Sequence, residues 1–151
     1  MADPETSITV WRSFVETWKT WKKAVDTNFD VMGIGTTTYS LLRNIYDSGP
    51  VPMTELAGLI MVTPGWLTGL VDSLEQKELV ERVRNVDDRR IIDIKITGSG
   101  RTLFEKAREI HMDFIKECLE HLDNEAALLL IESLEKLKSS VLSAKKTPKI
   151  P

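Results

Sequence analysis

The chain has 151 residues, of which 42% are apolar and 28% charged, and its formal net charge is −3. This composition is typical of a globular protein with one domain and helical extensions. No apolar run approaches the roughly 20 residues that span a bilayer, and the N-terminus lacks the apolar segment of a signal peptide. We therefore expect a cytoplasmic protein without membrane contact.

The sequence offers little material for catalysis or metal binding. A single cysteine, Cys118, excludes an internal disulfide and a multi-thiolate metal site. The two histidines, His111 and His121, are too far apart to share one helix face. We find no nucleophile beside a base and no glycine-rich phosphate loop. The sequence therefore predicts neither an enzyme nor a bound metal or cofactor.

The first predicted element is a long helix from Ile8 to about Phe29. Its large apolar residues recur at alternating spacings of three and four, as in a seam that faces a partner helix; they are Trp11, Phe14, Trp18, Trp21 and Val25. Three indoles on one exposed helix would form a large apolar patch. The seam therefore predicts a homodimer, with packing inside the monomer as the alternative.

Three shorter helices are predicted next, over residues 36–47, 53–60 and from Thr63 onward. In the second of them the predicted buried residues are Leu56, Leu59 and Ile60. Threonine followed by proline is a strong start signal for the third helix, because Pro64 has no N–H to leave unsatisfied. This helix carries one apolar stripe, which consists of Leu67, Leu70, Val71 and Leu74.

Two runs with strand character follow, over residues 79–84 and 91–96, and they enclose a polar, charged segment. In the second run isoleucines alternate with Asp93 and Lys95, which is the period of a half-buried strand. The pair predicts a β-hairpin. Two further helices come after it, so the predicted order is α-α-α-α-β-β-α-α. The predicted fold class is mainly α with a small β-hairpin wing (α+β).

Three consecutive short helices followed by a charged hairpin are the arrangement of a winged helix-turn-helix. At this point the sequence resembles the MarR family of transcription regulators. The likeness lies in residues 70–82 (LVDSLEQKELVER), 87–90 (DDRR) and 94–100 (IKITGSG). The corresponding family patterns are VDxLExxGLVxR, a DxR or DRR wing, and xLTxxG at the start of the next helix.

The resemblance implies a winged helix-turn-helix DNA-binding domain at residues 31–98. It would lie between dimerisation helices at residues 1–30 and 99–145, with a tail at 146–151. The implied function is a sequence-specific regulator, a repressor, that binds double-stranded DNA as a homodimer on a pseudo-palindromic operator. The alternative is a winged-helix protein–protein interaction module with weak or no DNA binding.

For the wing, the resemblance assigns Asp88 and Arg90 to the family's Asp-x-Arg pair. The arginine would enter the minor groove while the aspartate orients it. Arginine suits a narrow, negative groove because its planar fork binds several acceptors. The alternative is a solvated turn with weak surface ion pairs.

The third short helix is the implied recognition helix. With its apolar stripe turned inward, Gly65, Gly69 and Asp72 face outward. Relatives usually carry arginine or another polar reader at the position of Gly69, and often a basic residue at that of Ser73, whereas this face has no cation. The glycines either permit close backbone approach to the duplex or mark relaxed base readout.

The charge count also indicates few cations for DNA binding, since residues 36–98 contain seven cations and nine anions. Affinity for phosphates must then come from the wing, from Arg43 and from helix N-termini near Thr54 and Thr63. The predicted DNA-binding residues are Arg43, Thr54, Thr63, Gly65, Trp66, Thr68, Gly69, Ser73, Arg84, Asp88, Arg89 and Arg90. For Trp66 the alternative is a packing residue at the edge of the helix.

The resemblance also implies an effector pocket between the dimerisation helices and the winged domain. A small aromatic acid bound there would release the DNA. The predicted effector-binding residues are Trp18, Thr37, Tyr39 and His111. For His111 the alternative is a packing or surface histidine.

Overall fold

The computed structural model describes residues 3–144 and contains six helices and three short strands within that range. In chain order they are α1 (Pro4–Asp30), α2 (Thr36–Ser48), β1 (Val51–Pro52), α3 (Met53–Leu59), α4 (Pro64–Gln76), β2 (Val80–Arg84), β3 (Ile92–Ile96), α5 (Gly98–Leu119) and α6 (Asn124–Ser143). The predicted fold class, mainly α with a small β-hairpin, is confirmed. The predicted tail at 146–151 lies outside the described residues.

The first helix begins four residues earlier than its apolar seam indicates. Asp3 is its N-cap, and the Asp3 carboxylate accepts a hydrogen bond from the Thr6 amide at 3.0 Å. Pro4 occupies the first helical position, where a missing N–H has no consequence. The Asp3–Pro4 pair marks the start of α1, and the prediction began later because it rested on the apolar seam.

The three strands form one antiparallel sheet in the order β1-β3-β2. Ile94 in β3 lies between Val51 of β1 and Arg82 of β2. The hairpin of β2 and β3 was predicted, but β1 was not. A two-residue strand that ends in proline has no alternation to reveal it, and Pro52 fits the edge of a sheet because it has no N–H to donate.

The chain divides into two compact units between Phe114 and Ile115, within α5. The core of the first unit joins helices α1 to α5 with the sheet. Its largest fully buried side chains include Phe29, Leu41, Leu42, Ile45, Leu56, Leu67, Val71, Ile94 and Phe104.

In the second unit, α6 contains no buried residue. Several of its large apolar side chains are exposed, among them Leu128, Leu129, Leu130, Ile131, Leu134 and Val141. Cys118, near the end of α5, is exposed as well.

One burial prediction for α3 was wrong. Leu59 was expected in the core, but its side chain is 55% exposed. The buried residues of this segment are Leu56, Ala57 and Ile60. At 100° per residue, Leu59 points about 100° away from the centre of that face, and its side chain is therefore directed away from the core.

Among the described residues, no single helix is long and apolar enough to cross a membrane. The pair α3 and α4 passes the same test of length and composition only when the two are taken together, and they are bent by 106° relative to each other.

Candidate nucleic-acid interface

The recognition helix α4 has the orientation that the sequence predicts. Leu67, Val71 and Leu74 are buried, whereas Gly65 and Gly69 are exposed. The remaining predicted contact residues of this helix are also exposed; they are Trp66, Thr68 and Ser73. The face opposite the core is therefore open to a ligand along the whole helix.

Two threonines at the start of α4 already make hydrogen bonds within the helix. The Thr63 hydroxyl accepts from the Trp66 amide at 3.3 Å and caps the helix. The Thr68 hydroxyl donates to the carbonyl oxygen of Pro64 at 3.0 Å. Trp66 lies between them with 49% of its surface exposed. The Thr68 hydroxyl can still accept a hydrogen bond from a ligand through its second lone pair.

Packing does not require glycine on this face. A Cβ built at Gly65 or Gly69 meets no atom within 4 Å. In the free protein, therefore, a side chain fits at either position. Both glycines also weaken the helix, by roughly 1 kcal/mol each relative to alanine.

The predicted contacts outside α4 and the wing are Arg43 and Thr54, and both are exposed. Arg43 lies on α2. Thr54 is the second residue of α3, whose N-cap is Pro52 and has no side-chain capping bond. Thr54 therefore supplies a hydroxyl near the start of α3 but is not its cap.

Asp72, the carboxylate on the outward face of α4, has a partner that the sequence did not reveal. Arg82 of β2 donates to Asp72 at 2.6 Å through one nitrogen and to Glu75 at 2.5 Å through the other. The Arg82 amide also donates to Glu75 at 3.1 Å. One guanidinium thus joins the recognition helix to the wing strand and offsets two of the anions near the groove face.

At the tip of the wing, Asp88 holds Arg90. One carboxylate oxygen of Asp88 accepts from both the amide and the Nε of Arg90, each at 3.0 Å, and the other accepts from Nη2 at 2.8 Å. The hydrogen bonds from the Arg90 side chain and amide hold the pKa of Asp88 below its usual value. Because the Arg90 side chain is 90% exposed, the guanidinium is oriented and yet accessible.

The other two wing arginines lie beside this pair. Arg84 donates to the carbonyl oxygen of Arg89 at 3.1 Å, which ties the end of β2 to the turn. Both side chains belong to exposed residues. The structure therefore brings together at one tip all four wing residues predicted from the sequence.

Sequence reasoning missed two residues that order the wing, Asn85 and Asp93. The side-chain amide nitrogen of Asn85 donates to both carboxylate oxygens of Asp93, at 3.1 and 2.9 Å. Asp93 was expected to alternate outward, but it is 5% exposed. An asparagine just before a turn is a signal for such side-chain bonds, whereas a buried aspartate has none in the strand pattern.

Comparison with known proteins identifies the family and its fold. Residues 35–92 match the sequence profile of the MarR family. The chain is 30% identical over 105 residues to the HTH-type transcriptional regulator MhqR of Bacillus subtilis. The aligned residues make up 70% of this chain and 72% of that protein. The chain belongs to the MarR family.

Solved structures of this family share the architecture. The transcriptional regulator BldR from Sulfolobus solfataricus is 28% identical, with a TM-score of 0.78 over 92% of this chain and 99% of that one. A mutant of MarR from E. coli, solved in complex with operator DNA, has a TM-score of 0.76 at 22% identity, over 90% and 99% of the two chains. As a MarR-family member, the chain is a DNA-binding transcriptional regulator and not an enzyme.

One departure from the MarR pattern has a structural consequence. Where VDxLExxGLVxR has glycine, this chain has Glu78, with φ at +56°. The position closes α4: the Glu78 amide donates to the Glu75 carbonyl and the Leu79 amide to the Leu74 carbonyl, both at 2.9 Å. This is the bonding of a Schellman motif, which favours glycine at the left-handed residue. The family glycine thus fits the geometry better than Glu78 does.

The residues predicted to bind an effector in this MarR-family chain do not form one cluster. The rings of Tyr39 and His111 lie 5.1 Å apart, against Phe29. Trp18 lies on another surface, in a groove along α1 with Lys19, Lys22 and Lys23. Thr37 is half-buried near the start of α2. Only Tyr39 and His111 are therefore seen in contact.

His111 resembles a packing histidine in its surroundings. Its Nδ1 is buried and has no hydrogen-bond partner among the described residues. Burial, and then the charge of Arg43, lower the pKa of His111. A cavity of about 130 Å³ lies elsewhere, against the inner side of α4, and none of the four predicted effector residues lines it.

Proposed function

We propose that the chain is a transcriptional repressor that binds a pseudo-palindromic operator as a homodimer, with one winged domain on each half-site. The observation that carries the proposal is the exposed, Asp88-oriented guanidinium of Arg90 at the wing tip, on the same domain as an open recognition helix. A helix in the major groove and an arginine in the adjacent minor groove would use both features.

The dimer is supported by exposed large apolar side chains on two helices, α1 and α6. On α1, Trp11, Phe14 and Trp18 are between 39% and 58% exposed. On α6, four consecutive residues, Leu128 to Ile131, are each at least 44% exposed. At 100° per residue, four successive apolar side chains surround a helix. Such surfaces are typical of interfaces rather than of a free monomer.

The contacts we propose divide into two kinds. Arg84, Arg89 and Arg90 of the wing, together with Arg43, bind phosphates and the minor groove. The helix residues Thr63, Gly65, Trp66, Thr68, Gly69 and Ser73, with Thr54 of α3, lie along the major groove and its edges. Because α4 carries no cation, we expect affinity and its salt dependence to come mainly from the arginines.

The domain division follows from these roles. We propose that residues 31–98 form the DNA-binding domain and that residues 1–30 and 99–145 carry the dimer interface. As a repressor, the dimer would bind across a promoter and exclude polymerase from the same stretch of duplex, and the proposed location is the cytoplasm. A small aromatic acid that contacts Tyr39 and His111 would be the releasing effector.

Two measurements test the assembly and the ligand class. Light scattering of the full chain at micromolar concentration should give the mass of a dimer, and a deletion of residues 1–30 should aggregate or unfold. A well-behaved monomer after that deletion would contradict the proposed interface. Retention on heparin at low salt is expected of a DNA binder, whereas a winged-helix protein-interaction module would pass through unretained.

A further inference from the structure

The wing strand β3 contains a buried carboxylate with an unusual place in the hairpin. Asp93 pairs with Val83 of β2 on one side and with Pro52 of β1 on the other. Its side chain is buried, and both of its oxygens accept from the same Asn85 amide nitrogen. Burial of a carboxylate costs stability unless its oxygens are well hydrogen-bonded, and at Asp93 the side-chain bonds come from Asn85.

The Asn85 side chain joins this buried carboxylate to the wing tip. While its nitrogen donates to Asp93, its oxygen accepts from the backbone amides of Asp87 and Asp88, at 2.9 and 3.0 Å. The backbone N–H of Asn85 donates to the Ile91 carbonyl oxygen at 3.0 Å. Asn85 therefore holds the turn in two ways: its side chain binds the amides of Asp87 and Asp88, and its backbone binds Ile91 on the other side of the turn.

The last link is the pair already described. The Asp88 backbone is bound by Asn85, and the Asp88 carboxylate holds the guanidinium of Arg90. A continuous series of hydrogen bonds thus leads from buried Asp93 through Asn85 and Asp88 to a side chain that is 90% exposed.

We infer that Asn85 and Asp93 are positioning residues for DNA binding, which act by fixing the direction in which Asp88 presents Arg90. The inference rests on the proposed contact of Arg90 with DNA. Neither residue needs to touch the duplex. Their contribution is preorganisation: a tip held in one conformation loses less freedom when it binds.

Charge and position make opposite predictions for Asp93→Leu. Removing an anion from a DNA-binding domain should tighten binding if only net charge matters. Without its acceptor, however, the Asn85 amide is free to turn, and its oxygen then leaves the amides of Asp87 and Asp88. Positioning therefore predicts weaker binding, in spite of the lost negative charge.

The experiment uses the full chain and a labelled duplex from the region that flanks its own gene. We expect Asp93→Leu to weaken binding about tenfold while the melting temperature stays equal or rises. Glu81→Leu, which removes an exposed anion from the neighbouring strand, is the matched control and should not weaken binding. The exchange Asn85→Asp with Asp93→Asn keeps the net charge and reverses the direction of the hydrogen bond between positions 85 and 93. A carboxylate oxygen at position 85 can still accept from the Asp87 and Asp88 amides, so the exchange should restore affinity to within about threefold of the wild type.

Two further arms separate the possible failures. Asp93→Leu added to Arg90→Ala should cost no more affinity than Arg90→Ala alone, since the two residues act through one contact. In the nuclear magnetic resonance spectrum of free Asp93→Leu, the Arg90 Nε–H signal should move and the Asp87 and Asp88 amides should exchange faster with solvent.

DNA binding by folded Asp93→Leu that equals or exceeds that of the wild type would overturn the inference. So would weak DNA binding by the variant with residues 85 and 93 exchanged, or a full further loss of affinity when Asp93→Leu is added to Arg90→Ala. If Arg90→Ala itself binds like the wild type, the proposed wing contact fails instead. In that case, an Arg90 Nε–H signal that does not move in Asp93→Leu would also refute the positioning role. A signal that moves would show that Asp93 orients Arg90 but would overturn the role in DNA binding.

Discussion

Gly100 at the start of α5 lies directly against the backbone of Leu79. A Cβ at this glycine would fall 1.9 Å from the Leu79 carbonyl oxygen and 2.9 Å from its carbonyl carbon. The same carbonyl accepts from the Thr97 amide at 3.1 Å, and the Thr97 hydroxyl accepts from the Gly100 amide at 3.0 Å. The glycine of the family's xLTxxG pattern is thus a packing requirement between α5 and the entry to the wing.

The first prediction follows from this contact. Gly100→Ala should lower the free energy of unfolding by about 2–4 kcal/mol, because a rigid backbone carbonyl must move to admit the methyl group. Urea unfolding measures the change. Gly69→Ala is the control: it lies in a helix with open space around it and should gain about 0.5–1 kcal/mol. Equal stability of Gly100→Ala and the wild type would contradict the contact.

The second prediction concerns the left-handed residue that ends α4. Glu78→Gly should raise the free energy of unfolding by about 1 kcal/mol, because a side chain at φ +56° is strained and glycine is not. Lys77→Gly, one residue earlier at φ −87°, relieves no such strain and should not stabilise. Thermal and urea unfolding of both variants check the difference, and a destabilised Glu78→Gly would refute the strain.

The third prediction tests the wing arginine. Arg90→Ala should weaken binding to operator DNA by about 1–3 kcal/mol and leave unfolding within about 0.5 kcal/mol of the wild type. Lys138→Ala, which removes one exposed cation from α6, is the control for net charge. If Arg90→Ala and Lys138→Ala lose the same small amount, the wing is only a solvated turn.

The fourth prediction concerns the cation-free face of α4. Gly69→Arg should tighten DNA binding, increase the salt slope by about one unit and stabilise the fold. Gly69→Ala separates helix stability from the added charge. If the backbone at Gly69 instead touches the duplex, both variants will be more stable but will bind DNA less well. Dissociation constants at two salt concentrations, with melting temperatures, distinguish these outcomes.

The fifth prediction is a pH dependence of stability. Burial, then Arg43, place the pKa of folded His111 below its ordinary value of 6.5, so between the two values the unfolded chain binds more protons than the folded one. This histidine's contribution to stability is therefore complete above about pH 6.5 and is lost as the pH falls below it. His111→Phe should flatten the decline in unfolding free energy between about pH 7.5 and 5.5. A slope for His111→Phe equal to that of the wild type would contradict the effect.

Sequence alone could predict the parts of the site that repeat or match a pattern. The stripe from Leu67 to Leu74 fixed the orientation of α4, and the DDRR segment located the Asp88–Arg90 pair. These features depend on local period and on short motifs, which one sequence displays directly.

The parts that sequence could not predict depend on partners distant in the chain. Arg82 reaches Asp72 across ten positions, and Asn85 reaches Asp93 across eight. Nothing in the period of β3 distinguishes a carboxylate that turns inward to an amide from one that faces water. Such pairings arise from the geometry of the hairpin and are visible only once the strands are in register.

A gel shift of the full chain with the DNA that flanks its own gene tests sequence-specific DNA binding most directly. Duplex of the same length and composition in scrambled order should serve as competitor at two salt concentrations. We predict a discrete complex with two chains per site that survives scrambled competitor and weakens as salt rises. No complex at low salt, or equal displacement by the scrambled duplex, would contradict sequence-specific DNA binding by this chain.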